Sequence, residues 1–173
     1  MPGIAELIDA RLRDIPDFPQ PGVLFKDITP LLADGPAFGA VVEELATRHT
    51  GVDLVAGVEA RGFVIGAALA HRLGIGFVPV RKAGRLPGET VQLAYDLEYG
   101  SATIEVHADA FAAGESVLVV DDVLATGGTA AAACELVEQA GGRVTAVAVV
   151  IELLGLGGRG RLPGRTVDAL LSR

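Results

Sequence analysis

Val117-Leu118-Val119-Val120-Asp121-Asp122-Val123-Leu124-Ala125-Thr126-Gly127-Gly128-Thr129-Ala130 runs from an apolar segment through two adjacent acids into a small Thr/Gly-rich loop. Val117 to Val120, β-branched except at Leu118, read as a strand covered on both faces. Asp121 and Asp122 are then expected at its carboxyl end, where open α/β sheets place their ligands. Thr126, Gly127, Gly128 and Thr129 suit an anion held by backbone N–H groups, because glycine permits close approach and positive φ. The alanine-rich segment from Ala130 to Ala140 supplies a helix whose N-terminus favours a phosphate. Carboxylates repel phosphate, so Asp121 and Asp122 suit vicinal hydroxyls and a hydrated Mg2+ instead. The stretch therefore reads as a sugar-phosphate site, with the sugar at one end and its phosphate at the other. Two acids after a strand, taken alone, are more often a solvated loop or a helix cap; the TGGT run at this spacing favours the ligand. The chain lacks GxxxxGK[ST], which excludes a nucleoside triphosphatase loop as the acids' partner.

Outward from this stretch, composition narrows the class. A chain of 173 residues is most simply one domain with a core of its own. Its 14 basic and 22 acidic residues give a net charge of −8 and a pI near 4.8. That balance disfavours nonspecific binding to nucleic acid or to an anionic membrane, so any phosphate affinity is local. Mean hydropathy is +0.46, yet the clearest apolar run, Val144 to Ile151 with Thr145 inside it, is far too short to span a bilayer. The first residues carry acids and no basic region, unlike a signal peptide, and the single Cys134 has no intrachain disulfide partner. A cytoplasmic protein is expected. Cys134 falls inside the expected Ala130 to Ala140 helix, where a buried small hydrophobe is its simplest role.

Ile4, Leu7, Ile8 and Leu12 mark an amphipathic first helix ended by Pro16 and a Pro19 to Gly22 turn, and Phe38, Val41, Val42 and Leu45 mark another. Asp53 to Val58 and Gly76 to Val80 read as strands flanking a Gly62 to Leu73 helix. Arg81 to Glu89 mixes three bases with Gly84, Pro87 and Gly88, which predicts a mobile loop. Val91 to Tyr95 and Ala102 to Val106 read as a hairpin around Gly100, and Val144 to Ile151 as a further strand. Strands alternating with helices predict an α/β fold, a doubly wound and mainly parallel sheet with helices on both faces. Gly155-Leu156-Gly157-Gly158-Arg159-Gly160 matches GxGxxG in form, but Pro163 and Gly164 stand where a helix must open, so a dinucleotide site is rejected. His49, His71 and His107 show no metal-binding spacing and read as surface or helix histidines.

The Val119 to Thr129 segment resembles the phosphoribosyl pyrophosphate signature of the type I phosphoribosyltransferase family. Three further regions narrow the likeness to the adenine branch of that family: Pro21-Gly22-Val23-Leu24-Phe25-Lys26-Asp27-Ile28-Thr29-Pro30, Glu59-Ala60-Arg61-Gly62-Phe63, and Arg81-Lys82-Ala83-Gly84-Arg85-Leu86-Pro87-Gly88 with Leu97-Glu98-Tyr99-Gly100. The likeness extends to about Arg159 and leaves a less distinctive tail. It implies a hood over about residues 1–35, a flap over about residues 81–106, a homodimer, and transfer of phosphoribosyl from phosphoribosyl pyrophosphate to adenine, giving AMP and pyrophosphate in purine salvage.

Site roles follow from the resemblance. Asp121 and Asp122 fall to the ribose hydroxyls, with Mg2+ held mainly through substrate near them. Ala125, Thr126, Gly127, Gly128 and Thr129 fall to the 5-phosphate. Glu59, Ala60 and Arg61, in a segment that usually carries a non-proline cis peptide, fall to pyrophosphate with Arg81, Lys82 and Arg85. Val23, Phe25, Lys26 and Leu153 fall to the base, and Glu98 to its ring proton. From the residues alone, each flap base reads almost equally as solvated charge, Phe25 as ordinary packing and Glu98 as a strand-end acid. A transferase acting on xanthine or hypoxanthine would share the Val117 to Ala130 stretch. A non-catalytic sensor of phosphoribosyl pyrophosphate that binds nucleic acid would want a basic surface, which this acidic chain lacks.

Overall fold

The computed structural model describes residues 3–97 and 100–173. Helix α1 (Ile4–Asp9) leads into a hairpin of β1 (Arg13–Pro16) and β2 (Leu24–Asp27), followed by α2 (Thr29–Ala33) and α3 (Gly35–Arg48). Then come β3 (Leu54–Val58), α4 (Arg61–Leu73), β4 (Gly76–Lys82), β5 (Thr90–Asp96) and β6 (Ser101–His107). The chain closes with β7 (Ser116–Leu124), α5 (Gly128–Gln139), β8 (Arg143–Glu152) and β9 (Val167–Ser172). Seven strands form one sheet in the order β5-β6-β4-β3-β7-β8-β9. The ladders from β4 through β9 are parallel, and β5 and β6 add an antiparallel edge.

Period-two burial explains the layers. In β7, Leu118 and Val120 face the cluster holding Ile8, Val41, Leu45, Ile65 and Leu69 of α1, α3 and α4. Val117 and Val119 face Ala133, Leu136 and Val137 of α5 on the other side. The central strands are thus buried on both faces, as their unbroken apolar runs require. Asp34 begins α3 by accepting the Ala37 N–H at 3.1 Å, with Pro36 in the first turn. Chain order reverses between β3 and β7, so the crevice at their carboxyl ends is where such a sheet opens for a ligand.

Two sequence expectations need correction, and one strand was not foreseen. The first helix ends at Asp9, and Arg13–Pro16 is a strand paired with Leu24–Asp27; Pro16 sits at the end of a two-stranded hairpin, where its missing N–H does no harm. The acids lie within β7, which runs to Leu124 because β8 pairs with it as far as Leu124↔Glu152. The β3 ladder stops at Val120, however, so beyond that point this edge of the strand is free. The tail contributes β9, parallel to β8. Residues 154–161 form two short 3-10 turns, in keeping with the rejected dinucleotide motif.

Candidate active site

A cleft of about 380 Å3 opens at the β3/β7 crevice. Its lining joins segments far apart in sequence: Val23, Phe25 and Lys26 from the hairpin, Glu59, Ala60 and Arg61 after β3, Asp121 to Thr129, and Leu153 after β8. Arg81 and Lys82 line a neighbouring cavity of about 550 Å3 that shares Glu59 and Thr129 with the cleft. Arg85 lines neither and is exposed. Glu98 lies outside the described residues, although Leu97 before it lines the second cavity.

The loop of residues 125–129 is shaped by glycine at two places. Gly127 has φ +84°, a conformation L side chains rarely adopt. A Cβ on Gly127 would meet the Gly158 carbonyl, and one on Gly158 would meet the Ala125 carbonyl and lie 2.9 Å from Leu124 Cγ. The two backbones pack directly on each other, which turns residues 126–129 toward the start of α5. Tyr95 reaches the same loop from β5, its hydroxyl 3.2 Å from Thr129 Oγ1.

Asp121 Oδ1 accepts the N–H of Asp122 at 2.8 Å. Burial, and then the negative charge of Asp122, push the Asp121 carboxyl well above the ordinary carboxylate range. Asp122 is 4% exposed. Arg61 Nε stands 2.8 Å from Asp122 Oδ2, yet that oxygen accepts no hydrogen bond, so the contact is charge proximity without donor alignment. The Arg61 guanidinium also lies 4.8 Å from the Phe25 ring centre, linking the β1–β2 hairpin to the crevice, and Phe18 meets Phe25 edge-on at 5.2 Å.

After β3 the Glu59–Ala60 peptide is cis. Glu59 accepts Arg81 Nη2 at 3.2 Å and the Lys82 N–H at 2.9 Å, and these bonds hold its carboxyl below the ordinary range. Lys26 turns its ammonium to Asp14 at 2.7 Å, so its contribution to the cleft is backbone and stem. Asp27 accepts both the N–H and the hydroxyl of Thr29, fixing the step from hood to α2.

Among the described residues no three His, Cys, Asp or Glu side chains converge to hold a metal ion, so they form no closed cage. The adjoining carboxylates of Asp121 and Asp122 fit Mg2+ in its usual manner, with one or two carboxylates beside substrate oxygens and water.

Several supports escaped sequence reading. Glu152, 3% exposed, grips Arg159 at 2.7 and 2.8 Å and fixes the turn after Leu153. Glu105, 1% exposed, lies under the loop after β4. A lone acid in an apolar strand was the available signal for each. The glycine run 155–160 was the signal for the packing of Gly158 on the loop of residues 125–129.

A family model described as "Phosphoribosyl transferase domain" matches residues 31–166. An adenine phosphoribosyltransferase of Acidothermus cellulolyticus is 58% identical over 170 residues, covering 97% of this chain and 96% of the relative. The crystal structure of adenine phosphoribosyltransferase from Thermoanaerobacter pseudethanolicus superposes with a TM-score of 0.95 at 50% identity, over 98% of this chain and 99% of that one. The Saccharomyces cerevisiae enzyme, complexed with an imino-altritol bisphosphate and adenine, gives 0.91 at 42% identity, over 97% and 98%. With a family model over most of its length and relatives of this identity along nearly all of it, the chain belongs to the phosphoribosyltransferase family, in its adenine phosphoribosyltransferase branch.

Proposed function

We propose that the cleft transfers the 5-phosphoribosyl group of phosphoribosyl pyrophosphate to adenine, giving AMP and pyrophosphate with inversion at the ribose C1. One observation carries the assignment of roles: the hood, the Glu59 to Arg61 loop and the Asp121 to Thr129 run line one cleft, leaving separate places for base, pyrophosphate and sugar phosphate. The 5-phosphate sits against the N–H groups of residues 125–129 at the start of α5. Asp121 and Asp122 hold the ribose hydroxyls. Arg61, Arg81, Lys82 and Arg85 bear on the departing pyrophosphate. Phe25 and Leu153 enclose the base, with backbone groups of Val23 to Lys26 along its edge. The base and imino-altritol bisphosphate named for the yeast relative fit the same division.

A ring nitrogen of adenine is already nucleophilic, so its lone pair forms the bond to C1 as the C1–O bond breaks and its electrons leave with pyrophosphate. The barrier lies in an oxocarbenium-like ribose, as in glycoside chemistry. Most of the catalysis is therefore positioning and fixed charge. When bound, Mg2+ neutralises charge on the diphosphate, and Asp121 and Asp122 are the residues beside which it is held. Glu98 accepts or orients the ring proton that the base gives up. Closure of the flap, about residues 81–106, excludes water that would otherwise hydrolyse the activated sugar. In this reading residues 1–173 act as one domain with a hood over about residues 1–35, in a cytoplasmic homodimer. Among the described residues no helix is long and apolar enough to cross a membrane.

The test is Mg2+-dependent formation of AMP from adenine and phosphoribosyl pyrophosphate, with one pyrophosphate released per AMP. Absence of AMP, or pyrophosphate release independent of adenine, would reject the reading.

A further inference from the structure

Strand β6 carries an acid where its neighbours are core. Ile104 and Val106 enter the apolar cluster under α5, so Glu105 between them faces the other way. A carboxylate removed from water is costly unless its lone pairs are filled. Here Arg85 N–H and Leu86 N–H each donate to Oε1 at 2.8 Å, and Gln92 Nε2 and Thr90 Oγ1 donate to Oε2 at 2.9 and 3.3 Å. The cross-strand neighbours of Glu105 are Gln92 on β5 and Arg81 on β4, and residues directly opposite in a ladder share a face. A polar row, Gln92-Glu105-Arg81, therefore crosses three strands under the loop of residues 83–89.

That row grips Arg85 from two sides. Its N–H goes to Glu105, while its carbonyl accepts Arg81 Nη1 at 3.3 Å. Arg81 in turn binds Glu59 of the cleft. Farther along β6, His107 Nε2 lies 2.9 Å from the Pro87 carbonyl.

We propose that Glu105 is the positioning residue of the loop of residues 83–89, anchoring the backbone of Arg85 and Leu86 to the sheet so that Arg85 stays linked through Arg81 to the Glu59 loop. The inference rests on the reading that these bases serve pyrophosphate. The attachment is polar, so lifting the loop exposes groups that water solvates readily, and it can open and reseat in each turnover.

Glu105→Gln keeps the side chain's size, removes its charge and sets an NH2 against the donors. We expect the KM for phosphoribosyl pyrophosphate to rise about tenfold, with the KM for adenine within about twofold of wild type. Amide exchange at Arg85 and Leu86 should speed up while that of β7 is unchanged. Unchanged exchange at those two amides, or an equal rise in both KM values, would overturn the proposal. If Glu105→Gln does not fold, Gln92→Ala, which removes one donor, is expected to move the same readouts in the same direction by less, and no movement there counts against the latch. A wild-type chain without turnover would refute the transfer reaction alone, since amide exchange in the two variants still decides whether Glu105 holds the loop.

Discussion

Replacing Gly158 by alanine tests how the loop of residues 125–129 is built and whether it holds the phosphate. The Gly158 backbone is not in the left-handed region, so alanine is allowed there by φ; the obstacle is space. The new methyl would meet the Ala125 carbonyl and lie 2.9 Å from Leu124 Cγ and 3.2 Å from the Gly127 nitrogen, and two of those three neighbours are backbone of the loop that turns into α5. Insertion of an extra methyl into such packing costs about 1–3 kcal/mol. If the loop gives way and the strain is relieved only in the phosphate-free state, affinity for phosphoribosyl pyrophosphate falls about 5- to 150-fold. Gly155→Ala is the control, because nothing lies within 4 Å of its would-be Cβ. Steady-state kinetics and urea unfolding on both variants separate loss of binding from loss of fold. Gly158→Ala should raise the KM for the sugar diphosphate, lower the unfolding midpoint, or both, while Gly155→Ala stays within about 0.5 kcal/mol of wild type. A Gly158→Ala enzyme indistinguishable from wild type in both measurements would refute the reasoning.

Other expectations follow from single contacts. Asp122→Asn removes a buried charge beside Arg61 and should lower kcat/KM about ten- to hundredfold, a loss of about 1.5–3 kcal/mol measured with saturating adenine. Phe25→Ala should weaken adenine binding while leaving the affinity for phosphoribosyl pyrophosphate nearly intact by calorimetry; loss of both together would point to collapse of the hood. Burial opposes ionisation of Glu105, but the N–H groups of Leu86, Arg85 and Gly84 and the Gln92 amide outweigh it and hold the carboxyl at about 2, below its ordinary 4.5. The folded-state value is the lower one, so its contribution is fully present above about pH 4.5 and is lost as pH falls toward 2. Urea unfolding of wild type and Glu105→Gln should accordingly differ at pH 6, with the difference shrinking below about pH 4.5 and vanishing only near pH 2. Cys134 has no exposed surface and burial pushes its thiol up to about 11, so iodoacetamide should label it only on unfolding, at a rate that follows denaturant.

What the sequence disclosed depended on how local each signal was. Val117 to Val120, the TGGT run and the helix after it announce themselves within fourteen consecutive residues, so strand, loop and helix start were readable together. The reading of the first hairpin as part of a site leaned on resemblance, since Phe25 in a Pro/Gly loop is equally an ordinary packing residue. Arg13–Pro16 was hidden because its strand character comes from pairing with Leu24–Asp27, and no four-residue window carries that information. Val167–Ser172 follows Pro163 and Gly164 and gains its meaning from β8 beside it. Asp121 and Asp122 looked like the end of a strand because polarity changes there, whereas the β8 ladder, invisible in sequence, continues to Leu124. Glu105 and Gly158 are the instructive omissions. An acid in an apolar strand and a glycine in a failed motif look like noise until the fold brings Leu86 to one and Ala125 to the other.

The central claim is that this cleft joins adenine, among the purines, to the phosphoribosyl group. The most direct measurement is initial-rate pyrophosphate release with phosphoribosyl pyrophosphate and Mg2+ across adenine, hypoxanthine, guanine and xanthine, with AMP identified as product. Rapid release with adenine and, for the oxopurines, kcat/KM lower by orders of magnitude is the expected result. Equal or faster release with any oxopurine, or none with adenine, would contradict the account.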